Sequence, residues 1–177
     1  MTADIFAKSP TLRDIAVVCA LNNKAGIIFE DGKYNKLGEP TEAALKVFAE
    51  KLGQHDTKFK RPTDITKNPE AYTTYLNNQY ELVSTLDFTS DRKTMSTIVK
   101  NLIKPGQNSL LLKGAPERVI DKCATYKKAD GTVANFTADD KKKFINSVQE
   151  YAKKGLRVLG LGIIYDGGKL ADLTKQN

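Results

Sequence analysis

The sequence predicts an α+β fold, a mostly antiparallel β-sheet flanked by helices, on three observations. Apolar residues recur at helical spacing toward both ends of the chain, strand-like runs cluster between them, and short turns join neighbouring runs, the connection that antiparallel strands use. With 177 residues and 40% hydrophobic content, there is material for one sizeable core and too little for two comfortable ones. A single domain over 1–177 is therefore expected.

The elements follow in order. Ser9-Pro10 offers a cap and a proline for a first helical turn; Leu12, Ile15, Ala16 and Cys19 then recur at helical spacing, and the helix should end near Asn22-Asn23. "AGIIFEDGKYN" reads as two short strands joined by an Asp31-Gly32 hairpin turn. "GEPTEAALKVFAEKLG" reads as a helix with Pro40 at its start, Ala44, Phe48 and Leu52 on one stripe, and Gly53 as its stop. Near 54–79 the composition turns polar, with Pro62, Pro69, Lys58, Lys60, Arg61 and Lys67, which predicts a surface excursion holding a short helix near Tyr72 to Leu76.

Beyond it, "YELVSTLDF", "TMSTIVK" and "NSLLLK" read as strands, the last two a hairpin turned at Pro105-Gly106. "TADDKKKFINSVQEYAKKG" predicts a helix with Thr137 as N-cap, acids in its first turn, Phe144, Val148 and Ala152 on one stripe, and Gly155 as its stop. Leu156 to Ile164 completes the set as a final strand, and "DGGKLADLTKQN" reads as a tail.

Several function classes receive little support. The longest apolar stretches, Ile15 to Leu21 and Leu156 to Ile164, fall far short of the roughly 20 residues that span a bilayer, so no direct membrane insertion and a soluble monomer are expected. Met1-Thr2-Ala3-Asp4 lacks the basic start and apolar run of a secretory signal, which points to folding in the cytosol. Cys19 and Cys123 have neither CxxC spacing nor accompanying histidines and read as ordinary buried thiols, so no metal site is expected. The single His55 has no visible nucleophile or metal partner, and no catalytic residue is assigned to this chain.

A net charge of +7 favours polyanions without choosing among nucleic acid, acidic surfaces and nucleotide phosphates. A basic module for nucleic acid or acidic protein is thus the competing reading, motivated by "DDKKKF". Its basic residues are spread along the chain, and Asp139 and Asp140 dilute the cluster, so nucleic acid is not the expected partner.

Three stretches carry candidate chemistry. Glu39 and Glu42 fall on neighbouring positions of one helical face, either as first-turn acids that suit the helix dipole or as a carboxylate aimed into a pocket. "DFTSDRKTMS" puts an aromatic ring, Phe88, within five residues of Arg92 and Lys93, the minimum for stacking a base and meeting phosphates; a solvated turn would look similar. In "LLLKGAPERVIDKC", Lys113 ends a strand before the small residues Gly114 and Ala115, so either a planar ligand presses on the backbone beside the ammonium or the lysine reaches out to solvent. Neither GxxxxGK[ST] nor GxGxxG occurs.

Taken together, "GEPTEAAL" (38–45), "DFTSDRKTMS" (87–96), "KGAPERVIDKC" (113–123) and "LRVLGLG" (156–162), in that order, resemble the nucleotide-binding domain of P-type cation-transporting ATPases. The first two are most similar to the calcium pumps of the endoplasmic or sarcoplasmic reticulum. The resemblance implies that Phe88 stacks on adenine, Glu42 bonds toward the base, and Lys113 lines the pocket with Gly114 and Ala115. It further implies that Lys93 and Arg157 reach phosphates and that Leu159 packs against the nucleotide. It implies ATP as ligand, magnesium with the nucleotide, and the phosphorylation and actuator domains of a parent pump as partners on the cytosolic face of the reticulum membrane. The family's phosphoacceptor segment, DKTGT, does not occur in these 177 residues, so binding without hydrolysis is expected. One departure stands out: the calcium pumps carry an arginine two residues after the aromatic, and this chain has Ser90, leaving Arg92 as a candidate substitute.

Overall fold

The computed structural model describes residues 5–165. The first four residues and the tail "DGGKLADLTKQN" therefore lie outside the described residues. The chain forms two compact units, divided between Leu82 and Val83.

The first unit is built of helices and one hairpin. After a single turn, α1 (Ile5–Lys8), helix α2 (Thr11–Leu21) buries Ala16 through Leu21 without interruption, as a helix enclosed on most sides must. Strands β1 (Gly26–Glu30) and β2 (Lys33–Leu37) pair antiparallel and close at Glu30↔Lys33. Asp31 and Gly32 take φ of 53° and 74°, the left-handed pair that a two-residue type I′ turn requires.

Helix α3 (Pro40–Gly53) packs on α2, on a different stripe from the expected one. Ala43, Lys46, Ala49 and Leu52 are buried, whereas Ala44 is exposed and Phe48 is 42% exposed. The expectation followed the larger apolar side chains; the structure instead buries small alanines and sustains Lys46 inside by pairing its Nζ with Glu70 at 3.3 Å. Gly53 does end the helix, but without a left-handed φ. A Cβ there would collide with the ring of Tyr72, so the glycine makes room for packing.

That ring belongs to α4 (Ala71–Gln79), in the stretch expected as a surface excursion. Its helix is present, but Tyr72 and Leu76 are fully buried, and α4 packs on α2 and α3. Polar side chains anchor it from within. Glu50 accepts from the backbone N–H of Tyr72 (2.9 Å) and Thr73 (2.8 Å), and the Tyr72 hydroxyl donates to buried Asp56 (3.0 Å), which also faces Arg13 at 3.5 Å.

The second unit is organised by a sheet of order β3-β4-β5-β8. It comprises β3 (Leu82–Leu86), β4 (Thr94–Lys100), β5 (Asn108–Gly114) and β8 (Gly160–Ile164). β4 and β5 pair antiparallel from Thr94↔Gly114 to Lys100↔Asn108, the expected hairpin, and β5 pairs antiparallel with β8. The last strand starts at Gly160 rather than Leu156, because residues 156–159 form the connection into it. Alternation puts Met95, Thr97, Leu111, Lys113 and Leu161 on one face, and Thr94, Ser96, Leu110, Leu112 and Gly162 on the other.

Helix α5 (Pro116–Lys122) packs on β8, and its Val119 leaves no room for a Cβ at Gly160. The small strands β6 (Thr125–Lys127) and β7 (Val133–Asn135) were not foreseen. They reach α6 (Ala138–Lys153) through a cluster of Tyr126, Phe136 and Phe144, whose ring centroids lie 5.1–5.4 Å apart. Thr137 caps α6 as expected, accepting from the Asp140 N–H, and Gly155 ends that segment at φ 75°. The fold is α+β, with antiparallel sheets and flanking helices. No helix among the described residues is long and apolar enough to cross a membrane.

Candidate functional site

The corner after β5 brings three of the candidate residues together, Lys93, Gly114 and Ala115. Gly114 faces β4 so closely that a Cβ would collide with the carbonyl oxygen of Lys93. That same oxygen accepts from the Ala115 N–H at 2.9 Å. Lys93 holds φ at 52°, a left-handed conformation that costs a non-glycine residue free energy and persists only where its surroundings hold it. Its own N–H donates to the Thr89 carbonyl at 2.8 Å, so both sides of the residue are tied. The Lys93 side chain is exposed, and Pro116 starts α5 one residue after Ala115. The glycine is thus needed for a close backbone approach between two loops that both carry candidates.

Lys113 precedes this corner, opposite Met95 on β4 and Leu161 on β8. It is 7% exposed, so the ammonium does not reach out to bulk water. Leu159 adjoins Gly160, the register partner of Gly114, and is half-buried. Arg157 lies two residues earlier on the exposed part of the same connection. Phe88 lies two residues past β3 on the 87–93 loop and is 59% exposed.

The loop that presents Phe88 is held from within by Arg92. One guanidinium nitrogen, Nη2, donates to the carbonyls of Leu86 (3.1 Å), Asp87 and Thr94 (3.1 Å). Sequence reasoning had Arg92 as a substitute phosphate ligand; its guanidinium is instead committed to the backbone on both sides of the loop. Ser90 is exposed near the middle of that loop. No local signal in the sequence separates a loop-tying arginine from a ligand-binding one, since either needs only a cation near a strand end.

Glu42 belongs to the first unit, half-buried in the first turn of α3, where its backbone carbonyl accepts from Asn23 Nδ2 at 2.8 Å. Glu39 is exposed at the N-cap position and makes no side-chain cap bond. His55 is half-buried, and its Nδ1 has no hydrogen-bond partner. Cys19 and Cys123 form no disulfide among the described residues, and partial burial pushes the Cys123 pKa up despite nearby Lys141. Among the described residues no group of three His, Cys, Asp or Glu side chains is arranged to hold a metal ion.

The second unit also has a cavity of about 760 Å³. Thr94, Ser96, Leu110, Leu112 and Gly162 line it, so it opens on the sheet face opposite Lys113. Arg92, Arg118 and Lys122 add cations; of the candidate nucleotide residues Arg92 lines it, while Phe88, Lys93, Lys113, Gly114, Ala115, Arg157 and Leu159 do not.

Comparison with known proteins bears on the same stretches. The family described as P-type ATPase, cytoplasmic domain N, matches residues 11–173. The chain is 32% identical to calcium-transporting ATPase 2, endoplasmic reticulum-type, of Arabidopsis thaliana, over 93% of this chain and 16% of that protein. It is 32% identical to endoplasmic reticulum calcium ATPase srcA of Aspergillus fumigatus, over 92% of this chain and 17% of that protein. A third relative, calcium-transporting ATPase 3, endoplasmic reticulum-type, of Arabidopsis thaliana, is 32% identical over 91% of this chain and 16% of its own length. The chain therefore spans about one-sixth of the length of these relatives.

Proposed function

The chain belongs to the P-type ATPase cytoplasmic domain N family, and on that footing we propose that it is the adenine-nucleotide-binding part of a calcium-transporting pump. The observation that carries the reading is the corner where Gly114 and Ala115 meet the Lys93 carbonyl, with buried Lys113 one residue away and the open ring of Phe88 on the adjoining loop. These elements supply part of what a purine with phosphates asks for: a ring to stack on and an ammonium of limited hydration. Glu42 is assigned to the base, Leu159 to packing against the nucleotide, and Lys93 and Arg157 to the phosphates.

Each side chain acts by binding and orientation. Stacking on Phe88 fixes the purine plane, Gly114 lets the Lys93 backbone close on the corner, and Lys113 adds positive charge where water is scarce. Magnesium would arrive on the nucleotide's own phosphates, since the described side chains offer no cage for it. In a full-length pump the phosphates would point to an aspartate of the phosphorylation domain, with the actuator domain as a further partner, on the cytosolic face of the reticulum membrane. This chain, without DKTGT, binds ATP and does not hydrolyse it.

Titration calorimetry with ATP and AMP tests the proposal. Phe88→Ala is expected to weaken both ligands, by about 1–3 kcal/mol, the range for removing an aromatic platform under a base. A Phe88→Ala chain that binds both nucleotides as the unaltered chain does would overturn the site. Steady phosphate release by the pure chain, abolished by Lys113→Ala, would contradict binding without hydrolysis.

A further inference from the structure

We propose that Arg92 is a positioning residue of the nucleotide site, acting through the 87–93 loop and without touching the ligand. The inference rests on the nucleotide reading above. Its basis is the geometry of one nitrogen: Nη2 donates to the carbonyls of Leu86 and Asp87 on one side of the loop and of Thr94 on the other. The three oxygens belong to the end of β3, the residue preceding Phe88, and the start of β4.

A cation placed there fastens the two ends of the loop. Between them stand the open Phe88 ring and Lys93, whose left-handed φ aims its carbonyl at the Ala115 N–H. Loss of the fastening frees Phe88 to leave the stacking position. It also releases the strained Lys93 toward ordinary φ, which breaks its bond to Ala115. With Nη2 held by three carbonyls, Arg92 acts on the shape of the loop that carries Phe88 and Lys93.

Arg92 therefore controls affinity through the base, so its removal acts alike on nucleotides with one, two or three phosphates. A direct phosphate ligand shows the opposite pattern, with a loss that grows along the series.

The experiment titrates AMP, ADP and ATP into the unaltered chain, Arg92→Gln and Lys93→Ala, and follows deuterium exchange of backbone amides in the free proteins. Arg92→Gln is expected to weaken all three nucleotides by one common factor of about tenfold, which corresponds to a stacked ring lost from its place. Exchange at the Lys93 and Ala115 amides should accelerate, while the β4–β5 ladder and the melting temperature stay unchanged. Lys93→Ala should weaken ATP more than AMP. Should Arg92→Gln fold poorly, Arg92→Lys keeps the charge on a shorter donor and is expected to give the same pattern at smaller amplitude.

A loss that scales with phosphate number, or unaltered exchange at Lys93 and Ala115, overturns the inference while leaving the nucleotide reading intact. If the unaltered chain binds none of the three nucleotides, the nucleotide reading falls, and the proposed role in ligand positioning falls with it.

Discussion

Two polar stretches of this chain are similar in composition and opposite in use. Residues 54–79 are rich in charge and hydroxyls; Lys58, Lys60, Arg61 and Lys67 face solvent, but two carboxylates reach inward: Asp56 takes the Tyr72 hydroxyl, and Glu70 accepts from the Ile27 N–H while pairing with Lys46. In the loop 87–93, by contrast, one side chain, Arg92, is spent on the backbone, and Phe88, Ser90 and Lys93 stay exposed. Polarity in the first stretch replaces missing apolar contacts; in the second it keeps a loop shaped for a partner. The difference lies in where the acceptors are. Carboxylates placed on buried positions must find donors, whereas a single cation bonded to carbonyls satisfies a loop and leaves its tip available.

The sharpest way to break this contrast is at Asp56, which is 5% exposed. Asp56→Ala strips a partner from Arg13, the Tyr72 hydroxyl and the Lys58 N–H together. Because Arg13 retains some access to water, the loss should fall near the lower end for a broken buried pair, about 3 kcal/mol in urea unfolding. Nucleotide affinity per folded molecule should stay unchanged. Loss of affinity without loss of stability would mean that the two stretches are not divided as described.

Glu50 comes next. It caps the start of α4 through the Tyr72 and Thr73 N–H groups and the Thr73 hydroxyl at 2.8–2.9 Å. Glu50→Ala should cost about 1–2 kcal/mol, the range of a strong N-cap. Exchange of the first α4 amides should accelerate most; uniform acceleration along the helix would show that Glu50 is not a local cap.

Tyr72 converts the same network into a pH dependence. Burial, reinforced by Asp56, pushes its phenol pKa well above the ordinary value. A proton held by the folded chain and released by the unfolded one stabilises the fold below the unfolded value, about 10, and that stability is lost progressively as pH rises beyond it. Tyr72→Phe should lose about 1 kcal/mol at neutral pH, one hydrogen bond, and should show a shallower decline in stability above pH 10. An equally steep decline in both proteins would remove Tyr72 as its source.

The contrast also explains what could be read in advance. Hairpins and caps were legible because their signals are local: Asp31-Gly32, Pro105-Gly106, Thr137 and Gly155 each specify their own geometry. The α3 stripe was misread because Lys46 is buried by Glu70, a residue 24 positions away, and Gly53 serves the ring of Tyr72. The three-residue strands β6 and β7 are too short for a period to show, and an aromatic cluster shared with α6 accompanies them. For the site, the residues Lys113, Gly114 and Ala115 could be singled out from sequence, but the closeness of Gly114 to the Lys93 carbonyl and the commitment of Arg92 depend on strand register, which no local pattern encodes.

Ser90 offers the smallest test and bears on the exposed loop alone. Since Arg92 Nη2 is bound to carbonyls, the loop has Lys93 to offer a phosphate and carries Ser90, a small neutral residue, near its middle. Ser90→Arg adds a guanidinium at an exposed position, where the gain is limited by screening and side-chain ordering to about 0.5–1 kcal/mol, or two- to fivefold. That gain should appear with ATP, shrink with ADP and vanish with AMP, and should fade as salt is raised. Thermal stability should not move, because Ser90 is exposed and carries no packing. An equal gain for AMP would mean that the new arginine reorders the loop instead of meeting a phosphate, and the division of labour between residue 90 and Arg92 would have to be redrawn.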